Sequence, residues 1–187
     1  GEYSTVVIGD GNDIHEFATI HRATGENCET RIGSHNMLQA YTHVAHNSNF
    51  GDYIVVSSFS GVAGHVTVED HAVIGAMSGV HQFVKIGAFA MIGGMSKIVQ
   101  DVCPFVIADG NPARVVGLNA VGIARNKIPA ESKSALKKAY RLIFRSGLKL
   151  NDAIQEMEQE LPSTPEIEHL LRFLRNCDRG LCRTRDR

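Results

Sequence analysis

Large apolar residues return at every sixth position through the first half of the chain. The series runs Ile8, Ile14, Ile20, Glu26, Ile32, Leu38, Val44, Phe50, Val56, Val62, Val68, Ile74, Val80, Ile86, Ile92 and Ile98, apolar at fifteen of sixteen positions. With about half of ordinary residues apolar, chance yields such a run about once in a thousand sequences, all six phases allowed. A period of six fits neither the period of about 3.6 of a lone helix nor that of about 2 of a lone strand. It is the pattern of a parallel β-helix. Each hexad predicts a short strand and a corner, and three hexads predict one roughly triangular coil with the apolar residue inward. Gly follows the apolar residue at 9, 33, 51, 75, 87 and 93, and small or β-branched residues such as Thr42, Ser60, Ser78 and Ala90 take the fifth place. Glycine or a small residue is therefore expected to adopt the tight corner conformation. Glu26 breaks the series, so residues 23–31 are expected to leave the wall as a loop.

The solenoid is expected over residues 1–104, followed by a linker over 105–117 that closes the last coil. From Leu118 a helical period takes over and predicts a C-terminal α-helical subdomain, 118–187. Ala135, Leu136, Ala139, Tyr140, Ile143 and Phe144 make one helix face, ended by Gly147. Asn151 is placed to cap a second helix carrying Ile154, Met157 and Leu161, stopped by Pro162. Thr164 and Pro165 open a third, with Ile167, Leu170, Leu171 and Leu174 on one side. Such a subdomain would cap the open end of the solenoid and protect its sheet edges. The basic tail RGLCRTRDR is expected to be a solvated end.

Composition narrows the function. The 187-residue chain has a net charge of −1, which argues against a general nucleic-acid or anionic-membrane binder. No transmembrane segment and no signal peptide is visible. Cys28, Cys103, Cys177 and Cys182 form no CxxC pair, the usage expected of free thiols in a reducing cytoplasm.

The period places distant histidines in space. Residues eighteen apart should stack at about 4.8 Å, the spacing of hydrogen-bonded strands. Val44, Val62 and Val80 then share one wall, with His43 and His46 flanking Val44, His65 beyond Val62, and His81 and Gln82 after Val80. His46 lies in one column with Gly64 and Gln82. His15, His21, His35, His71 and His169 read as solvated surface residues. A neutral imidazole suits proton removal from a sugar hydroxyl attacking an acyl group, and the Gly64 amide could donate to the developing oxyanion. No Ser or Cys nucleophile with a matching base is evident, which points to direct transfer. A flat wall encloses little substrate, so a neighbouring copy is expected to supply a second surface.

The blocks IHRAT, NMLQAYTHVAHNSNFGD, GVAGHVTVEDHAVIGAMSGVHQFVKIG and QDVCPFVIADGNPARVVGLN resemble the UDP-N-acetylglucosamine O-acyltransferase family of lipid A biosynthesis, over essentially the whole chain. The resemblance implies a left-handed parallel β-helix, a homotrimer with sites between subunits, and a cytoplasmic enzyme without cofactor or metal. It implies transfer of a 3-hydroxyacyl chain from acyl carrier protein to the 3-hydroxyl of UDP-N-acetylglucosamine. On the matching motifs, His46 would be the general base, His43 a site neighbour, and the Gly64 amide the oxyanion donor. His65, His81 and Gln82 would line the substrate groove, Asn119 and Arg125 would lie near the nucleotide phosphates, and Met91 and Gly94 would form the acyl-chain ruler.

Three departures bear on this. Asn47 stands where the family usually has Asp after the second His of HxAH; if that acid orients the base, a neutral amide should weaken it. Arg125 is followed by Asn126 rather than a second basic residue, so phosphate binding loses one charge. The resemblance also implies further coils before Gly1, so the chain is expected to hold only part of a site. The rival readings are the sister N-acyltransferase or an amino-sugar acceptor, a trimeric zinc carbonic anhydrase of the same architecture, and a non-enzymatic solenoid or inactive fragment.

Overall fold

A computed structural model describes residues 1–184. The chain winds into a left-handed parallel β-helix whose strands form three sheets, one per face of a triangular prism. The first face begins with Ser4–Ile8 and Cys28–Ile32, the second with Asp13–Ile14 and Met37–Leu38, and the third with Thr19–Ile20 and His43–Val44. Above Ile32 the register advances by one coil of eighteen residues: on the third face Val44 pairs with Val62, Val62 with Val80, and Val80 with Ile98. The inward column Ile32, Leu38, Val44, Val56, Val62, Ile74, Ile86, Ile92 and Ile98 is buried. Small polar residues in the fifth place point inward too and satisfy corner carbonyls: Ser60 Oγ donates to Gly75 O at 2.8 Å, and Ser78 Oγ to Gly93 O at 3.0 Å.

The first coil is longer than the rest. Ile8 pairs with Ile32 and Ile20 with Val44, a step of twenty-four residues rather than eighteen. One hexad, the one containing Glu26, is therefore looped out. The excursion is shorter than residues 23–31, because Cys28–Ile32 already forms a strand against Ser4–Ile8.

The corners are built differently from expectation. The left-handed residue sits three places after the inward one and is bulky: Tyr41, Asn47, Tyr53, Phe59, His65, His71, Met77, Phe83, Phe89 and Met95 all have φ between 56° and 65°. A non-glycine residue there costs about 1–2 kcal/mol. Two contacts offset that cost. The corner N–H donates to a carbonyl of the coil below, as Phe59 N–H does to Ala40 O and His65 N–H to His46 O. Corner rings also stack on one another: Phe17, Tyr41 and Phe59 form one column, and His35, Tyr53, His71, Phe89 and Phe105 another, with centroids 4.7–5.3 Å apart. The glycines serve closeness instead. A Cβ on Gly75 would lie 2.6 Å from Gly94 N and 2.7 Å from Ile92 O, both backbone atoms of the next coil.

The segment expected as a linker, 105–117, is a β-hairpin. Val106–Gly110 extends the second face in parallel, and Ala113–Leu118 folds back against it. The apolar run on either side of Asp109–Arg114 completes the last coil, burying Val106, Ala108 and Val115. Among the described residues four helices follow: α1 (Ala120–Arg125), α2 (Ala130–Phe144), α3 (Leu150–Glu160) and α4 (Pro165–Arg175). The expected α4 cap is present, Thr164 Oγ1 accepting from Ile167 N–H, whereas α3 starts one residue ahead of Asn151 and has no side-chain cap. Leu136, Tyr140, Phe144 and Leu170 pack over Cys103, Phe105 and Val106, so the helices cap the C-terminal end of the prism. His169 on α4 bonds to Glu69 on the first face at 2.8 Å.

The tail departs from a solvated end. Leu181 pairs with Asp101, Cys182 N–H donates to Asp101 O, and both Leu181 and Cys182 are buried. Its last residues, 185–187, lie outside the described residues. Among the described residues no helix is long and apolar enough to cross a membrane.

Close approach at the glycine column has a measurable consequence. Gly75→Ala is expected to lower stability by about 1–3 kcal/mol, because backbone of the neighbouring coil cannot yield as a side chain would. Urea unfolding with an unchanged midpoint would show that the coils separate at little cost.

Candidate active site

The third face carries a groove of about 600 Å³. Its floor is made by small residues, Ala45, Gly61, Ala63 and Gly79, with His43 at one end and His81, Lys97 and Val99 at the other. The reason is the register: His43, Gly61, Gly79 and Lys97 are successive partners in one outward column. Two glycines between two long side chains leave a trough.

His46, Gly64 and Gln82 lie side by side along the corner that ends this face, as the period predicts. The His46 imidazole covers Gly64: a Cβ there would fall 2.8 Å from both Cε1 and Nε2 of the ring. Only glycine admits the ring. Among the described residues no acceptor takes the Gly64 N–H, while the equivalent amides at the next corner are capped by carboxylates, Ser34 N–H by Asp52 at 2.6 Å and Asp52 N–H by Asp70 at 2.8 Å.

Asn47 holds the His46 ring. Its Oδ1 lies 2.8 Å from His46 Nδ1 and accepts the Thr24 backbone N–H at 3.0 Å, while its Nδ2 donates to Thr24 O at 3.0 Å. The two Thr24 contacts fix which end of the amide faces the ring. Nδ1 must then be the protonated nitrogen, and Nε2 is left with a lone pair. The Asn47 amide therefore orients the His46 ring; what it cannot supply is negative charge.

His65, one coil above Asn47 at the corner, meets the His46 ring edge-on at 5.2 Å and stacks under Phe83 at 4.8 Å. His43 has Thr19 Oγ1 2.8 Å from its Nδ1 and the His21 ring 4.6 Å away. Burial, and then the neighbouring His21, hold its titration below the ordinary imidazole value. Three of the four cysteines are poor nucleophiles: burial raises the thiols of Cys103 and Cys182 and pushes Cys177 up to about 12.

His21 belongs to this site and was not expected in it. An eighteen-residue step sends it to Gln39, on another face; the extra hexad around Glu26 makes the true step twenty-four and puts it beside Ala45. Thr19 and Thr24 were missed for the same reason.

Four expected residues are not brought to this wall. Met91 is on the second face, and Gly94 is at the corner between the second and third faces. Asn119 sits by Phe89, at the corner opposite the histidine face. Its polar atoms are spent on the scaffold: Nδ2 donates to Phe89 O at 2.8 Å and Oδ1 accepts Gly122 N–H at 2.9 Å, capping α1. Arg125 ends α1 and is exposed.

His43 gives a pH test. Its lowered value means that its contribution to stability is complete above the ordinary imidazole value and is lost as pH falls through the folded-state value. An NMR titration is expected to place the His43 midpoint below 6.5, with His21→Ala raising it only partly, since burial is the larger cause. A midpoint above 6.5 would contradict this environment.

The family model described as "Udp N-acetylglucosamine O-acyltransferase; Domain 2" matches residues 101–182. The acyl-[acyl-carrier-protein]--UDP-N-acetylglucosamine O-acyltransferase of Thermodesulfovibrio yellowstonii is 46% identical over 185 residues, covering 98% of this chain and 71% of that protein. The Fusobacterium nucleatum protein of the same name is 53% identical over 183 residues, with the same coverage. Among solved structures, LpxA of Acinetobacter baumannii superposes with a TM-score of 0.91 at 43% identity, over 95% of this chain and 70% of that one. The Francisella novicida UDP-N-acetylglucosamine acyltransferase gives 0.93 at 32% identity, over 99% and 68%. With identity of this level across both the histidine wall and the helical end, the chain belongs to the UDP-N-acetylglucosamine O-acyltransferase family.

Proposed function

We propose that this chain transfers a 3-hydroxyacyl group from acyl carrier protein to the 3-hydroxyl of UDP-N-acetylglucosamine, the opening step of lipid A biosynthesis. The observation that carries the reading is the His46–Asn47–Gly64 constellation. It sets a lone pair on His46 Nε2 beside an amide that no other group occupies. As the sugar hydroxyl attacks the thioester carbonyl, Nε2 takes its proton. The Gly64 N–H donates to the oxyanion, where charge develops only in the transition state. Collapse forms the ester, breaks the C–S bond and returns the proton from His46 to the departing thiolate. The acyl group passes directly from sulfur to oxygen.

The apolar trough over Ala45, Gly61, Ala63 and Gly79 suits an acyl chain, with His43, His81 and Gln82 as its polar margin and His65 beside it against the His46 ring. Asn119, Arg125, Met91 and Gly94 lie elsewhere on the same copy, so their nucleotide-binding and ruler roles are assigned across the interfaces of a homotrimer, one copy completing another's groove. The four unpaired cysteines fit a cytoplasmic enzyme.

His46→Ala is expected to lower kcat by about a hundredfold to ten-thousandfold. Near-normal turnover in a steady-state assay would overturn the assignment of the base. Asn47→Asp is expected to act in two directions. A carboxylate at Nδ1 stabilises the imidazolium, and one pKa unit of such stabilisation corresponds to about tenfold in kcat/KM. The same change removes the donor to Thr24 O, so the melting temperature should fall. Unchanged kinetics would mean that orientation alone is what residue 47 supplies.

A further inference from the structure

The C-terminal tail reaches the groove from ninety-eight residues away, at His81. Arg179 Nη2 lies 3.3 Å from His81 Nδ1. A guanidinium has only donors, so this contact requires Nδ1 to be the acceptor and puts the ring proton on Nε2. A competitor stands on the other side of the same atom: the Gln82 carbonyl, 3.2 Å from Nδ1, which would take an Nδ1–H and favour the opposite tautomer. One nitrogen cannot serve both neighbours. We propose that Arg179 is a positioning residue that fixes His81 as the Nε2–H tautomer, so that His81 offers the groove a hydrogen-bond donor rather than an acceptor.

The tail is built to hold Arg179 there. Asp101, wholly buried, accepts the Arg179 backbone N–H on Oδ2 at 3.1 Å and the Lys85 N–H on Oδ1 at 2.8 Å. Its own N–H donates to Gly180 O at 2.9 Å and its carbonyl accepts Cys182 N–H at 2.8 Å. Lys85 Nζ adds a bond to Asn176 O at 2.7 Å and pairs with Asp178. These ties run through the backbone on both sides of residue 179 and through its neighbours, not through the Arg179 side chain. The guanidinium, in contrast, is exposed and free to lie along His81.

The consequence rests on the acyl-transfer reading of the groove. His81 is one strand spacing beyond the Gly64 level, about 5 Å from where the thioester carbonyl would sit. A neutral oxygen of the acyl donor, hydroxyl or amide, at that distance needs a donor. The Nε2–H tautomer supplies one, whereas the tautomer favoured by Gln82 would oppose two acceptors. Loss of one neutral hydrogen bond of this kind is worth about two- to tenfold in binding.

The test is a tautomer measurement with a kinetic partner. In the ¹⁵N-histidine-labelled chain at alkaline pH, where imidazoles are neutral, the His81 signals (assigned by their loss in His81→Gln) are expected to show a protonated Nε2. Arg179→Leu is expected to move the proton to Nδ1 and to raise KM for the acyl carrier protein substrate about two- to tenfold with little change in kcat. Arg179→Lys, which keeps a donor, should restore part of both. Melting temperatures of the two variants should match the parent, since the Asp101 ties are to backbone. A protonated Nδ1 in the parent, or a tautomer indifferent to Arg179→Leu, overturns the inference whatever the kinetics. A shifted tautomer with unaltered KM also overturns it, by removing its consequence. Failure of the acyl-transfer reading is seen separately, as turnover insensitive to His46→Ala.

Discussion

Everything in this molecule depends on coils stacking at strand spacing without side chains between their backbones. The ladder of hydrogen bonds from each coil to the next fixes a rise of about 4.8 Å, and every position must be compatible with a copy of itself at that distance. Inward positions become continuous apolar columns. Where the wall turns, backbone meets backbone, as at Gly75 against Gly94 and Ile92, and a Cβ has no room. The same repetition lets bulky left-handed corner residues persist, because each ring rests on the ring below and each strained N–H finds the next carbonyl down.

The site is a local exception to that repetition. The third face interrupts its outward column with Gly61 and Gly79, which opens a trough, and the corner beside it has glycine at 64, where the coil below carries a histidine. At the next corner the corresponding amides are closed by Asp52 and Asp70; at Gly64 the amide stays open and the His46 imidazole fills the place a side chain would take. His46 and Gly64, the base and oxyanion donor of the proposed reaction, are thus adjacent because they occupy one column on neighbouring coils. Their geometry is inherited from the ladder. The C-terminal cap contributes as well, returning the tail to the histidine face through buried Asp101.

The six-residue period was enough to read the prism, its inward columns and the stack of His46, Gly64 and Gln82, and the helical period after Leu118 was enough to read the cap, with Thr164 at the start of α4. What stayed hidden depended on distance in space rather than on pattern. The extra hexad at Glu26 shifted the count by six and concealed His21, Thr19 and Thr24. The left-handed corners went to Tyr41, Phe59 and Met77 rather than to glycine, because inter-coil stacking and hydrogen bonds outweigh a local preference. The hairpin at 106–118 read as a linker because its two strands pair with the last coil and with each other rather than in hexads. The polar tail gave no sign that Leu181 and Cys182 would be buried, since Asp101, the residue it pairs with, is about eighty residues away.

A single wall of imidazoles, one held by an amide and facing an open backbone N–H, is suited to moving an acyl group from sulfur to a sugar oxygen. The most direct test is to identify the product. The chain is incubated with 3-hydroxyacyl carrier protein and UDP-N-acetylglucosamine, and the sugar nucleotide is analysed by tandem mass spectrometry and NMR. The account predicts one 3-hydroxyacyl group, ester-linked at the sugar's 3-oxygen. An amide formed on an amino-sugar acceptor while UDP-N-acetylglucosamine is left unmodified, or no acylated product from either, would contradict it.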